Sequence, residues 1–264
     1  MGYIDTHTHL DFPEFADDRD AVMAHCRELG VSRMVVLGVS QDNWQQVWDL
    51  AQCEPAVHAA LGMHPVFLND HRDEHLAELH AWFASVAQHP KCCAVGEIGL
   101  DYFVPDLDRQ RQQHLFEAQL ALAAEFELPV LLHVRRAHAP TIALLKQRKL
   151  PRAGIVHAFS GSLEEAREYI RLGFKLGLGG AGTWPQAKRM HRVIAQLPVE
   201  SLVLETDSPD MAPAFQPHQR NTPANLPRIC GILADLRRET PESLASACWH
   251  NSCELFGWDP TAVC

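Results

Sequence analysis

The 264-residue chain is 47% hydrophobic and 21% charged, which supplies one large core and excludes a disordered chain. Its 33 acidic residues outnumber 23 basic ones, giving a net charge of −10. That excludes a protein held on nucleic acid by bulk electrostatics, while leaving room for a local grip on a few phosphates.

The chain opens Met1-Gly2-Tyr3-Ile4-Asp5, with charge at once and no signal-like stretch. No apolar run approaches the ~18–20 residues of a membrane span. Cysteines stand at 26, 53, 92, 93, 230, 248, 253 and 264 without a C-x-x-C spacing. The expectation is a single domain over 1–264, cytoplasmic, with reduced thiols and no membrane contact. Short apolar runs begin near Tyr3, Arg33, Val57, Ala94, Val130, Gly154, Phe174 and Leu202. Their spacing is about that of βα units, and they are apolar on both faces, as parallel strands covered by helices are. Between them lie helix-compatible segments. Asp108 to Phe126 carries an apolar stripe of Leu115, Leu122 and Phe126. Ser162 opens a helix with Glu165 at the third position, and Gly173 ends it. Thr240 and Pro241 start a last helix reaching Phe256. Eight such beats predict an α/β fold, a (β/α)8 TIM barrel, rather than an open doubly wound sheet.

Six of these runs end in polar motifs, and in a barrel the strand C-termini share one rim. The first ends in His7-Thr8-His9, the third in Gly62-Met63-His64-Pro65, and the fourth in Gly96-Glu97-Ile98-Gly99-Leu100-Asp101. His133 and His157 end the fifth and sixth, and Glu205-Thr206-Asp207 the eighth. Residues two apart on a strand face the same way, so His7 and His9 point inward together, as do Glu205 and Asp207. Buried carboxylates and imidazoles without a metal carry a large desolvation cost. The set therefore reads as a metal site.

These motifs, continued by His133-Val134-Arg135, His157-Ala158-Phe159-Ser160-Gly161, Glu205-Thr206-Asp207-Ser208-Pro209 and Arg220-Asn221, resemble the TatD family of metal-dependent hydrolases and deoxyribonucleases in the amidohydrolase superfamily. They cover essentially the whole chain, and Asp210-Met211 looks like the YjjV-type branch. The resemblance implies two divalent metal ions. His7, His9 and Asp207 would bind the first, His133 and His157 the second, and Glu97 would bridge. Zinc, manganese or magnesium are the candidates; imidazole with carboxylate suits borderline ions such as zinc, manganese, cobalt, nickel or iron better than calcium. Asp207, with Glu97, is the expected catalytic carboxylate, orienting a metal-activated hydroxide. Asp5, Asp101 and Glu205 are read as supports of the ligands or as rim ion pairs.

His64 is expected to contact substrate or support the ligands rather than to ligate. Arg135 and Arg220 are phosphate candidates, against a reading as surface salt bridges. Trp184 either stacks on a base or packs a helix. The glycine-rich loop after the seventh run either approaches a phosphate or permits a tight turn. The expected activity is a phosphodiesterase of the 3′-5′ exonuclease type, acting on single-stranded DNA ends. A small ester, lactone, amide or phosphoester is the alternative substrate, and a non-enzymatic metal-binding role the third reading. The family's usual aromatic and apolar residues after the last motif are here Asp210 and Met211, and its usual Glu is Thr222. An added carboxylate there would repel a phosphate backbone. No obligate protein partner is expected.

Overall fold

Eight parallel strands follow one another in chain order around one sheet in a computed structural model that describes residues 2–261. They are β1 (Tyr3–Thr8), β2 (Val31–Leu37), β3 (Val57–Leu61), β4 (Cys92–Asp101), β5 (Val130–Arg135), β6 (Gly154–Val156), β7 (Lys175–Leu178) and β8 (Leu202–Leu204). The connecting helices are α1 (Arg19–Glu28), α2 (Gln41–Cys53), α3 (Glu74–Val86), α4 (Arg109–Glu125), α5 (His138–Gln147), α6 (Leu163–Arg171), α7 (Lys188–Ile194) and α8 (Leu226–Arg237), followed by α9 (Pro241–Phe256). This is the (β/α)8 barrel that the alternation predicts.

The helix signals act as expected. Ser162 and Glu165 form a reciprocal capping box on α6, and Gly173 follows it at φ 86°. Asp108 accepts from the amides of Gln110 and Arg111 at the start of α4. Thr240 accepts from Ser243 at the start of α9. β2 begins two residues before the expected Arg33. That residue is buried at the base of the barrel, its guanidinium 5.2 Å from both the Trp249 and Trp258 rings. Seven of the cysteines are free thiols and most are buried; Cys264 lies outside the described residues. No helix among the described residues is long and apolar enough to cross a membrane.

The barrel interior is layered. Val35, Leu37, Ala60, Leu131, Ile155 and Val203 pack into one apolar cluster. Two residues beyond Leu131, Ile155 and Val203 come His133, His157 and Glu205. Strand alternation thus floors the polar rim with hydrocarbon. The barrel closes between β1 and β8 through few contacts. They include one bridge, Thr8 to Ser208, main-chain bonds from Asp207 to His7 (2.8 Å) and from His9 to Ser208 (2.7 Å), a bond from the Thr6 hydroxyl to the Leu204 carbonyl (3.1 Å) and one between the Thr8 and Ser208 hydroxyls (2.7 Å). Asp5 stitches the same seam, accepting from the amide (3.0 Å) and hydroxyl (2.5 Å) of Thr206.

Candidate metal centre

The ligand-bearing strands are irregular where the ligands stand. The β1–β2 register shifts between Asp5 and Thr8, and the β4–β5 register between Val95 and Ile98, on either side of Glu97. Such shifts re-aim a side chain that regular pleating would place elsewhere. Asp207, just past β8, has φ 56°, a left-handed conformation that aspartate tolerates better than most residues.

Glu97 is the centre of the cluster and only 2% exposed. Its two carboxylate oxygens face different partners. Oε2 lies 3.2 Å from His7 Nε2 and 3.5 Å from His9 Nε2. Oε1 lies 2.9 Å from His157 Nε2, 3.1 Å from His133 Nδ1 and 3.1 Å from His64 Nε2. Asp207 Oδ1 completes the first side, 3.5 Å from His7 and 3.7 Å from His9. His7, His9 and Asp207 lie close enough together to hold one ion. Two further groupings, His64 with Glu97 and His133, and His7 with His157 and Glu205, are as compact.

Burial would raise the Glu97 carboxyl, but the imidazoles packed around it, His64, His157 and His7 first and then the hydrogen bond from His133, hold it well below its usual range. Burial also works against a charged His157. The charge and hydrogen bond of Glu97, with Asp207 and Glu205, overcome it and raise the imidazole to about 10. His9 rises to about 9 against burial for similar reasons. His157 and His9 therefore hold protons against the carboxylates while burial lowers His7 and His64, and a divalent cation would displace those protons. Three buried atoms, His7 Nδ1, His157 Nδ1 and Glu205 Oε2, have no hydrogen-bond partner among the described residues. The donor set, its charge and its burial fit divalent ions of the zinc or manganese class.

Hydrogen bonds behind the rings decide which nitrogen each presents. His9 Nδ1 donates to the Leu37 carbonyl at 3.3 Å, leaving Nε2 for the interior. His133 Nε2 lies 2.8 Å from Asp101 Oδ2, leaving Nδ1 inward, the carboxylate–histidine arrangement that orients metal ligands. Asp101 is itself held by the amides of Phe103 and Val104 and is lowered to about 2, these bonds and His133 outweighing its burial. His64 differs. Its Nδ1 accepts from the Val66 amide at 3.1 Å, so Nε2 carries the proton and donates to Glu97. Despite its proximity to Glu97 and His133, His64 is a hydrogen-bond donor to the carboxylate, with no lone pair at Nε2 for a metal. Glu205 accepts from the Ala158 amide at 2.5 Å and lies 3.8 Å from His157 Nδ1, and burial raises it to about 8. Asp5 touches β1 and β8 backbone at the seam and no ligand side chain.

A cavity of about 650 Å³ opens above the cluster, the size of a small-ligand pocket rather than a duplex groove. Arg135 lines it, stacked 3.7 Å over Phe103, with Arg136 4.8 Å from the same ring. Arg220 is elsewhere. Its guanidinium takes both oxygens of Asp18, at 2.8 and 2.5 Å, and the Glu14 carbonyl, over the Phe15 ring. The expectation of a phosphate contact is corrected to the salt bridge. Trp184 also stays off the cavity lining, donating to the Ala212 carbonyl at 3.1 Å, so its base-stacking reading gives way to packing. The glycine loop serves close packing. A Cβ on Gly177 would lie 2.0 Å from Glu205 Oε2, and one on Gly180 2.1 Å from the Met211 carbonyl. Phe67 and Met211, exposed apolar side chains lining this mouth, and Phe103, the exposed ring under Arg135, were not singled out as binding residues from the sequence. An exposed apolar residue next to a strand-end motif is the signal that points to them.

The family profile described as TatD related DNase matches residues 4–257. The chain is 42% identical to the uncharacterized metal-dependent hydrolase YjjV of Escherichia coli strain K12, over 96% of this chain and 97% of that one. The crystal structure of YjjV, a TatD homologue from E. coli K12, matches at a TM-score of 0.94, covering 97% of this chain and 98% of its own. The 3′-5′ ssDNA/RNA exonuclease TatD of Pantoea ananatis strain LMG 20103 is 34% identical, over 96% of this chain and 98% of that one.

Proposed function

The chain belongs to the TatD family of metal-dependent hydrolases, and on that premise we propose that it hydrolyses phosphodiester bonds at the 3′ ends of single-stranded nucleic acid. The observation that carries this is the division of the Glu97 carboxylate, one oxygen toward His7 and His9 and the other toward His133 and His157. That division suits a carboxylate shared by two divalent ions. Such ions supply Lewis acidity and lower the pKa of water toward neutrality. His7, His9 and Asp207 would hold one and His133 and His157 the other. The names of relatives such as the Pantoea exonuclease support nucleic acid as the substrate.

The chain's own residues then have distinct tasks. Arg135, held flat by the Phe103 ring, offers paired N–H donors to a phosphate entering the cavity. Burial, with the neighbouring charges of Glu97 and Asp210, raises the Asp207 carboxyl against the pull of His157 and His9. Asp207 Oδ1, within 3.7 Å of His7 and His9, is placed to orient an attacking water and accept its proton. His64 Nε2–H holds Glu97 Oε1, the oxygen that also faces His133 and His157. The net charge of −10 predicts a weak, end-directed grip rather than tight binding along a strand.

The test is a 5′-labelled single strand incubated with metal-loaded protein beside small phosphodiesters and lactones. The expected result is a ladder shortening from the 3′ end and abolished by chelator. Lactone turnover with no shortening would overturn it. The second reading, a small ester or lactone substrate, is favoured by one observation, the Asp210 carboxylate at the mouth, which disfavours polyanions.

A further inference from the structure

We infer that Asp210 makes the site selective for a strand ending in a free hydroxyl, because it sets a fixed negative charge where a terminal phosphate would otherwise sit. This rests on the nuclease reading above. Asp210 lines the same cavity as Asp207, His157 and Arg135. It is exposed, and no hydrogen bond or ion pair to another described residue consumes its carboxylate. A free carboxylate at a mouth that also carries Arg135 is a recognition group, not a structural ion pair.

Its position is fixed by the backbone on either side. Asn221 donates to the Thr206 carbonyl at 2.8 Å and to the Met211 carbonyl at 3.4 Å, and its amide bonds the Pro209 carbonyl at 2.9 Å. Met211 has φ 53°, and its carbonyl packs so closely on Gly180 that a Cβ there would lie 2.1 Å away. The turn bearing Asp210 is therefore held at three carbonyls, which fix where its side chain leaves the backbone.

Charge across the mouth is consequently polarised. Arg135 and Arg136 share the Phe103 ring beyond β5, while Asp210 stands beyond β8. A strand bound with its backbone toward the arginines presents its end to Asp210. A terminal hydroxyl donates a hydrogen bond to that carboxylate. A terminal phosphate, or the next phosphate of an uninterrupted chain, meets it as a like charge. The same contact separates end-directed from internal cleavage.

The experiment compares two 5′-labelled oligonucleotides, identical except for a 3′-hydroxyl or a 3′-phosphate, with the metal-loaded full-length protein. The readout is the ratio of kcat/KM for loss of the first nucleotide, which is insensitive to a partly folded preparation. The 3′-hydroxyl strand is expected to be preferred by about tenfold, the scale of one partly screened like-charge contact. Asp210→Asn is expected to bring the ratio toward one, and Asp210→Glu to restore the preference. Equal rates in the unaltered protein, or a ratio unchanged in Asp210→Asn, overturn this inference and leave the nuclease reading standing. No shortening of either strand overturns the nuclease reading and this inference with it.

Discussion

At the scale of single residues, the Glu97 carboxylate determines how the site should come apart. Metal analysis of purified protein is expected to find about two ions per chain. His133→Ala combined with His157→Ala should leave about one, held by His7, His9 and Asp207, whereas Glu97→Ala should deplete both. Loss of both ions in the double variant would refute the assignment. The two arginines give a second contrast. Arg135→Ala is expected to raise KM about tenfold, the value of one charge-assisted contact. Arg220→Ala should leave KM unchanged and lower Tm, because its partners are Asp18 and the Glu14 carbonyl. Steady-state kinetics beside thermal melts separate the two. The ligands were legible because two-residue spacing after an apolar strand fixes direction. Arg220 was not, since its Asp18 partner lies about two hundred residues away in a loop and nothing local to Arg220 encodes it.

At the scale of elements, the strands were legible from their two apolar faces, α4 from its apolar stripe, and α6 and α9 from their caps. Gly177 in β7 and Gly180 just after it were not, because their reasons lie past β8, at Glu205 and Met211. Gly177→Ala would drive a Cβ to 2.0 Å from Glu205 Oε2, and overpacking of that kind costs about 1–3 kcal/mol. Gly231 is the opposite case. It stands inside α8 with nothing within 4 Å of the added atom, so Gly231→Ala should stabilise by about 1 kcal/mol through helix propensity. Urea unfolding of both variants checks the pair, and equal effects would contradict the packing argument.

At the scale of the whole molecule, acid stability depends partly on the end of the barrel away from the metal centre. His58, 8% exposed, packs against Trp258 at the foot of β3. Burial first, then Lys91 and Arg33, lowers it to about 3. The unfolded chain takes up this proton near 6.5, so between about 6.5 and 3 it holds more protons than the native state. Stability from this group is present above pH 6.5 and is lost as pH falls through that window, with a limiting slope of about 1.4 kcal/mol per unit. His58→Gln should therefore be less stable than the unaltered protein at pH 7, with the difference shrinking toward pH 4. Denaturation curves at several pH values test this, and parallel pH profiles would exclude it. The barrel itself was legible as eight repeating beats, whereas this basal cluster draws on β2, β3 and the segment after α9, a convergence that only the closed fold creates.

The sparse seam between β1 and β8 has a consequence for motion. His7 and His9 lie on one side of it and Asp207 on the other, so a cation shared by the three clasps the first strand to the last. Fraying at a barrel's terminal strands is its low-energy opening route, and here that route would be gated by ion occupancy. Loading the site would thus add a tie across a seam that backbone and side-chain hydrogen bonds already close. The ions that would equip the molecule for hydrolysis would then also resist the parting of its first and last strands.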